Sequence, residues 1–213
     1  MKTVLITGVS RGIGLATAKL FLAKDYKVIG TSTTGQAEIN HRNFTIFTLD
    51  LAQAESITDF VNNIDEIDIL INNAAVLLDD WQEITIDLCA LKKTFEINVF
   101  GTIELTEQCL PKLAKHGQII NITSGWGAFS SNDSPYAPLY KLSKVCINMY
   151  TSLLANRLNN IIISSFDPGW VKTDMGTDAA PKLATTVAQE LFELVNLPKE
   201  SGLFWHEGKV REW

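Results

Sequence analysis

Along this chain of 213 residues, short apolar runs alternate with amphipathic stretches, and that order predicts the fold. Thr3 to Thr7 is a β-branched run leading straight into Gly8-Val9-Ser10-Arg11-Gly12-Ile13-Gly14 and then a helical pattern from Leu15 to Ala23. Lys27 to Gly30 reads as a second strand, Phe44 to Leu51 as a third and Asp68 to Val76 as a fourth, with a short amphipathic helix over Ser56 to Ile64. The fourth strand is nearly all apolar before Asn72-Asn73, as expected of a parallel strand buried on both faces. About ten residues separate the second and third strands, so the crossover there must be very short or irregular.

Asp87 to Leu113 has the strongest helical periodicity, with Leu88, Leu91, Phe95, Asn98, Thr102, Leu105 and Cys109 recurring at steps of three and four. Asn98 interrupts that apolar stripe, and a buried amide needs partners for its donors and acceptor. Ile97, Val99, Phe100 and Ile103 make the middle turns apolar on the other side too, so this helix is covered twice, within the domain or by a second subunit. Gly117 to Ser124 is a fifth strand, the segment around Tyr140 a helix to about Arg157, and Ile161 to Phe166 a sixth strand. Ala184, Val187, Ala188, Leu191 and Val195 mark a last helix, and Gly202 to Trp213 a strand with a Glu207-Gly208 turn and a tail. Strands alternating with helices imply an α/β fold, a doubly wound parallel sheet of about seven strands with helices on both faces. Ligands on such sheets bind at the C-terminal strand ends, where the Gly8 turn, Asp50, Asn73, Ser124 and Thr173 all fall.

The length fits a single domain. A net charge of -6 and a pI near 5.1 argue against a nucleic-acid binder. Cys89, Cys109 and Cys146 form no close pair and read as reduced thiols. No apolar run reaches the ~20 residues that span a bilayer, and the first strand enters the Gly-rich turn without a cleavage site, so a cytoplasmic protein is expected. His41, His116 and His206 are scattered, and no metal site is expected.

Two constellations carry chemistry. Glycines after a buried strand let the backbone approach a pyrophosphate, and the following helix N-terminus offers free N–H groups and a positive dipole end. Here the glycines lie four and then two apart, unlike the G-x-G-x-x-G form. The acidic residue expected about 20 positions later, which would hold a ribose 2′-hydroxyl, is replaced by Thr31-Ser32-Thr33-Thr34. A 2′-phosphate can sit among those hydroxyls and pair with Arg11, or with Arg42, which favours NADPH over NADH; Glu38 is the counter-indication. Asp50 is placed to meet the adenine, or to cap a turn. The second constellation is Tyr140-Lys141-Leu142-Ser143-Lys144, whose first and last residues share a helix face, so that the Lys144 ammonium is expected to lower the Tyr140 pKa.

Taken in order, these motifs resemble the short-chain dehydrogenase/reductase family over essentially the whole chain. Thr7-Gly8-Val9-Ser10-Arg11-Gly12-Ile13-Gly14 is similar to that family's T-G-x-x-x-G-x-G; Asp50-Leu51, Asn72-Asn73-Ala74-Ala75, Asn98 before Val99, Ser124, Tyr140 with Lys144, and Pro168-Gly169 with Thr173 are similar to its successive motifs. Pro168 to Met175 and the ending Ser201 to Trp213 resemble the C-factor and sniffer type of carbonyl reductase. The resemblance implies a Rossmann fold and hydride transfer to a carbonyl substrate, with Tyr140 exchanging the proton, Ser124 holding the carbonyl oxygen, Lys144 binding the nicotinamide ribose and Asn98 holding a water. It implies cofactor contacts at Gly8, Ser10, Arg11, Gly12, Ile13, Gly14, Thr31, Ser32, Asp50, Leu51, Asn73, Ala74, Tyr140, Lys144, Val171 and Thr173, and a homodimer or homotetramer. Ala75 departs from the family's usual Gly, and the Ser124 to Tyr140 segment is longer than its common spacing. Two other functions remain open: a cofactor-binding signalling or redox-sensor protein on the same fold, and an NAD-dependent alcohol dehydrogenase.

Overall fold

The computed structural model describes residues 1–80, 83–132, 134–197 and 200–213. Its elements are β1 (Thr3–Thr7), α1 (Gly12–Ala23), β2 (Lys27–Ser32), β3 (Phe44–Thr48), α2 (Ala54–Asn62), β4 (Ile67–Asn72), α3 (Leu88–Phe95), α4 (Thr102–Cys109), β5 (Leu113–Ile122), α5 (Pro138–Arg157), β6 (Ile162–Asp167), β7 (Val171–Lys172), β8 (Lys182–Leu183), α6 (Ala184–Asn196), β9 (Leu203–His206) and β10 (Lys209–Val210). Among the described residues the main sheet has eight strands in the order β10-β9-β6-β5-β4-β1-β2-β3, and β7 pairs with β8 apart from it. Every neighbour pair in the main sheet is parallel except β9 with β10. The expectation of about seven strands falls one short because the Glu207-Gly208 turn, with both residues at positive φ, folds the tail back as a strand of its own.

The parallel strands are buried on both faces, so successive side chains feed two cores. Val4 and Ile6 join Phe21 of α1 and Leu191 of α6 on one face. Leu5 and Leu70 join Phe60 of α2, Leu105 of α4 and Leu154 of α5 on the other. No helix forms between β2 and β3 among the described residues, and the two strands pair in parallel through a looped connection.

The long periodic helix expected over Asp87 to Leu113 is broken. Between α3 and α4 the chain widens into a π-helical turn, Glu96–Gly101, which contains Asn98. Gly101, which closes that turn, backs onto the Leu51 carbonyl so closely that a Cβ there would overlap it. Pro111 then ends the helix in a single 3-10 turn, Leu110–Lys112, and β5 begins at Leu113, not at Gly117.

Candidate active site

The turn after β1 is built on backbone fit. Gly8 (φ +73) takes a left-handed conformation that side chains disfavour, and a Cβ on Gly14 would lie inside the Gly8 carbonyl. Thr7 braces the turn against the end of β4: its Oγ1 accepts from the N–H groups of Asn73 and Ala74, both at 2.9 Å. The Asn73 amide donates to the carbonyls of Thr7 (2.8 Å) and Gly8 (3.2 Å). Arg11 stands at the N-cap of α1 without a side-chain cap, and the first turn carries no acidic residue. The leading N–H groups of α1 thus take no cap from Arg11 and meet no acid of their own turn, a donor set that fits a pyrophosphate.

Around this turn the structure brings some expected contacts together and redirects others. Thr173 closes on it, its Cγ2 being 3.2 Å from where a Gly12 Cβ would stand, and Thr173 Oγ1 is held by the Gly176 N–H at 3.1 Å. Val171, in β7, is buried. Ser10 is exposed, Ile13 packs on the core below and Leu51 is buried beside Gly101. Thr31 is buried, and its carbonyl accepts from Gly8 and Val9, both at 2.9 Å. The Ser32 hydroxyl is engaged by its own loop, donating to the Gln36 carbonyl and accepting from the Gln36 N–H at 3.0 Å each. The hydroxyls left exposed there are those of Thr33 and Thr34. Arg11 pairs with Asp174 at 3.2 Å, both side chains being largely exposed. Asp50 accepts from the Ala52 N–H at 2.9 Å, the turn-capping role.

The second half of the site rests on α5. Ala137 precedes that helix at a left-handed φ of 55° and supplies no cap, Pro138 opens it, and a distant carboxylate completes it. Asp79 Oδ1 accepts from the Leu139 N–H at 2.8 Å and Oδ2 from the Tyr140 N–H at 3.0 Å. Tyr140 is thereby fixed by its own backbone, while its hydroxyl has no hydrogen-bond partner among the described residues. Trp126 packs edge-on against its ring at 6.4 Å. Lys144 Nζ lies 5.3 Å from the same ring and donates to the Ile122 carbonyl at 2.8 Å. Ser124, at the end of β5, accepts from the Trp126 N–H at 3.1 Å and opens the 3-10 turn Gly125–Gly127.

Asn98 is 2% exposed. Its Oδ1 accepts from the Val76 N–H at 2.8 Å, and its Nδ2 donates to the Val76 carbonyl (2.8 Å) and Ser143 Oγ (3.2 Å). Both amide hydrogens and the oxygen are thus engaged within the chain. These bonds tie the segment after β4 to α5 and leave one lone pair of the amide oxygen over.

The electrostatics correct one expectation. Burial pushes the Lys144 ammonium down to about 8. The Tyr140 phenol is raised, first by burial and second by the Asp167 carboxylate, and not lowered by Lys144. The ammonium is desolvated and directed at a carbonyl, while the Asp167 carboxylate, itself paired with Arg211, adds to the rise at the phenol.

Three neighbours of the site escaped sequence reasoning. Asp79 acts across 60 positions, and nothing local announces it. Asp167 was legible as a carboxylate closing an apolar strand just before Pro168-Gly169, a position where a charge needs a partner. Arg211, in the tail, is that partner.

A parallel sheet with a Gly-rich turn after β1, and a tyrosine and lysine on one helix at the strand ends, defines a nucleotide-dependent oxidoreductase fold. The chain belongs to the short chain dehydrogenase family, whose profile matches residues 2–184. It is 31% identical over 217 residues to the short-chain dehydrogenase anuI of Penicillium roqueforti, covering 88% of this chain and 86% of that one. It is 29% identical over 155 residues to C-signal of Myxococcus xanthus, covering 69% of this chain and 93% of that one. Among solved structures, the carbonyl reductase Sniffer of Drosophila melanogaster superposes with a TM-score of 0.91 at 26% identity over the full length of both chains. A short-chain dehydrogenase/reductase of Burkholderia multivorans, solved with bound NADP, shares the fold with a TM-score of 0.88 at 23% identity, covering 100% of this chain and 99% of that one. Among the described residues, no helix is long and apolar enough to cross a membrane.

Proposed function

We propose that this protein reduces an aldehyde or ketone with NADPH. The observation that carries the reading is Tyr140, whose backbone is clamped by Asp79, whose ring is flanked by Trp126 and Lys144, and whose hydroxyl is left available at the strand ends. The bound nicotinamide supplies a hydride equivalent. Tyr140 donates the proton that the carbonyl oxygen needs as its carbon is reduced, and its raised pKa keeps it protonated for that task at neutral pH. Ser124 donates a hydrogen bond to the same oxygen as negative charge develops there. Lys144, still mostly protonated at pH 7, binds ribose hydroxyls. Asn98 positions the segment after β4 against α5. The first turn of α1, with Gly8, Ser10, Gly12 and Gly14, holds the pyrophosphate, and Asn73, Ala74, Val171 and Thr173 line the way to the nicotinamide.

Preference for NADPH rests on Arg11 together with the absence of an acidic residue at the end of β2. Arg11 exchanges its exposed Asp174 partner for a 2′-phosphate, and the accessible hydroxyls of Thr33 and Thr34 replace those of Thr31 and Ser32 as its neighbours. Exposed Phe100, Leu142, Met149 and Leu153 on the π-helical turn and α5 support a homodimer. Three free cysteines suit a reducing cytoplasm. The likeness to C-signal favours a second reading, a cofactor-binding signalling protein.

NADPH and NADH oxidation measured against a panel of aldehydes, ketones and quinones tests these readings. Turnover with NADPH is expected. Tight NADPH binding without turnover on any carbonyl would favour the signalling protein, and tighter binding of NADH would favour an NAD-dependent alcohol dehydrogenase.

A further inference from the structure

β6 ends on Asp167, whose residue is 4% exposed. Its Oδ1 accepts from the Gly169 N–H at 3.0 Å, and its Oδ2 is paired with Arg211 Nη1 and lies 3.2 Å from His206 Nδ1. Arg211 also donates from Nη2 to Ser131 Oγ at 2.6 Å and stacks over Phe204, whose ring packs against Trp213. The ion pair lies directly against the residue after Ser124: a Cβ on Gly125 would stand 2.7 Å from Arg211 Nη1 and 2.9 Å from Asp167 Oδ2. The tail therefore grips both ends of the 124–131 loop, at Gly125 and at Ser131, through a charge pair that packs one residue away from Trp126, whose ring lies 6.4 Å from that of Tyr140.

We propose that Asp167 and Arg211 are a positioning pair, in which the tail's guanidinium compensates the carboxylate buried behind the Gly125 turn and holds the loop that presents Ser124 and Trp126 to Tyr140. The proposal rests on the reading of Tyr140 as proton carrier. A buried carboxylate stripped of its cation repels a developing phenolate more strongly, whereas a neutral amide in its place does not repel it. The other charges around the pair are few. Tyr140 faces Lys144 on its own helix, Asp79 at its backbone N–H and Asp167 from β6. Asp167 faces Arg211 from the tail and His206 from β9. His206 has Glu207 at 3.9 Å, and Lys182 pairs Glu207 (3.2 Å) and Glu190 (2.9 Å).

The test is the pH dependence of kcat/KM for alcohol oxidation by the NADP-loaded enzyme, which rises through the titration of the proton carrier. Arg211→Met should move the midpoint up by about one pH unit, Asp167→Asn should move it down by about one, and Arg211→Lys should leave it in place. A midpoint does not depend on the fraction of folded enzyme, so partial misfolding leaves the comparison intact; if Arg211→Met fails to fold, Asp167→Asn alone decides. Midpoints that stay fixed, or that move in the same direction, overturn the pair while Tyr140→Phe remains inactive. A Tyr140→Phe enzyme that keeps its turnover and its pH rise overturns the parent reading and this proposal with it.

Discussion

The cofactor cradle after β1 and the proton-transfer site on α5 lie at the same edge of the sheet but are specified in opposite ways. The cradle is defined by what is missing: no Cβ at Gly8 or Gly14, no side-chain cap and no acid in the first turn of α1. The α5 site is defined by what distant elements bring: Asp79 from the loop after β4, the Ile122 carbonyl from β5, Asp167 from β6 and Arg211 from the tail. The cradle depends chiefly on steric fit, and the α5 site chiefly on charges and hydrogen bonds that other elements supply. Damage to the cradle should therefore remove cofactor binding and stability together, and damage to the α5 site should remove chemistry while the cofactor still binds.

The largest effect tests that division at α5. Tyr140→Phe should lower kcat/KM by roughly 10²–10⁴-fold while the NADPH dissociation constant, read by fluorescence titration, stays within a few-fold of the parent. Comparable loss of binding would erase the distinction. On the cradle side, Arg11→Ala should weaken NADPH by about tenfold to a hundredfold and leave NADH nearly unchanged, since a charge-assisted contact to phosphate contributes about 1.5–3 kcal/mol. An equal change for both cofactors would sink the 2′-phosphate assignment. Gly14→Ala should destabilise the protein by roughly 1–3 kcal/mol in urea unfolding and abolish cofactor binding, because the new methyl meets backbone that cannot retreat. Asp79→Ala, which uncaps α5, should reduce stability by about 1 kcal/mol, seen as a lower urea midpoint.

A further effect, visible only as a pH dependence, concerns Lys144. Its folded pKa near 8 lies below the unfolded lysine value of about 10.4, so between those values the unfolded chain binds more protons. The burden of holding it charged is complete below pH 8 and is relieved as pH rises through that window. The stability difference between parent and Lys144→Met should shift toward the parent over the same interval. A flat difference would place Lys144 in ordinary solvent contact.

The same division explains what the sequence made legible. Gly8, Gly12 and Gly14 announced the cradle because strand, turn and helix adjoin in the chain, and the Tyr140/Lys144 spacing announced a shared helix face. The direction of the Tyr140 shift was not legible, since it is set by burial and by Asp167, which is 27 positions away. The engagement of the Ser32 hydroxyl by Gln36 was not legible, because nothing local announces that loop contact. The long helix over Asp87 to Leu113 looked continuous because its apolar spacing does not announce the π-helical turn, whose Gly101 meets Leu51 in a tertiary contact. The eighth strand needed only its turn, Glu207-Gly208, to be given a returning partner.

The central claim is hydride transfer to a carbonyl carbon at a site whose proton comes from Tyr140. It is tested most directly with NADPH deuterated at the transferring position, the alcohol product being analysed by mass spectrometry. The account predicts one deuterium on the former carbonyl carbon with the parent enzyme and almost none with Tyr140→Phe. Unlabelled alcohol, or equal labelling by both proteins, would contradict it.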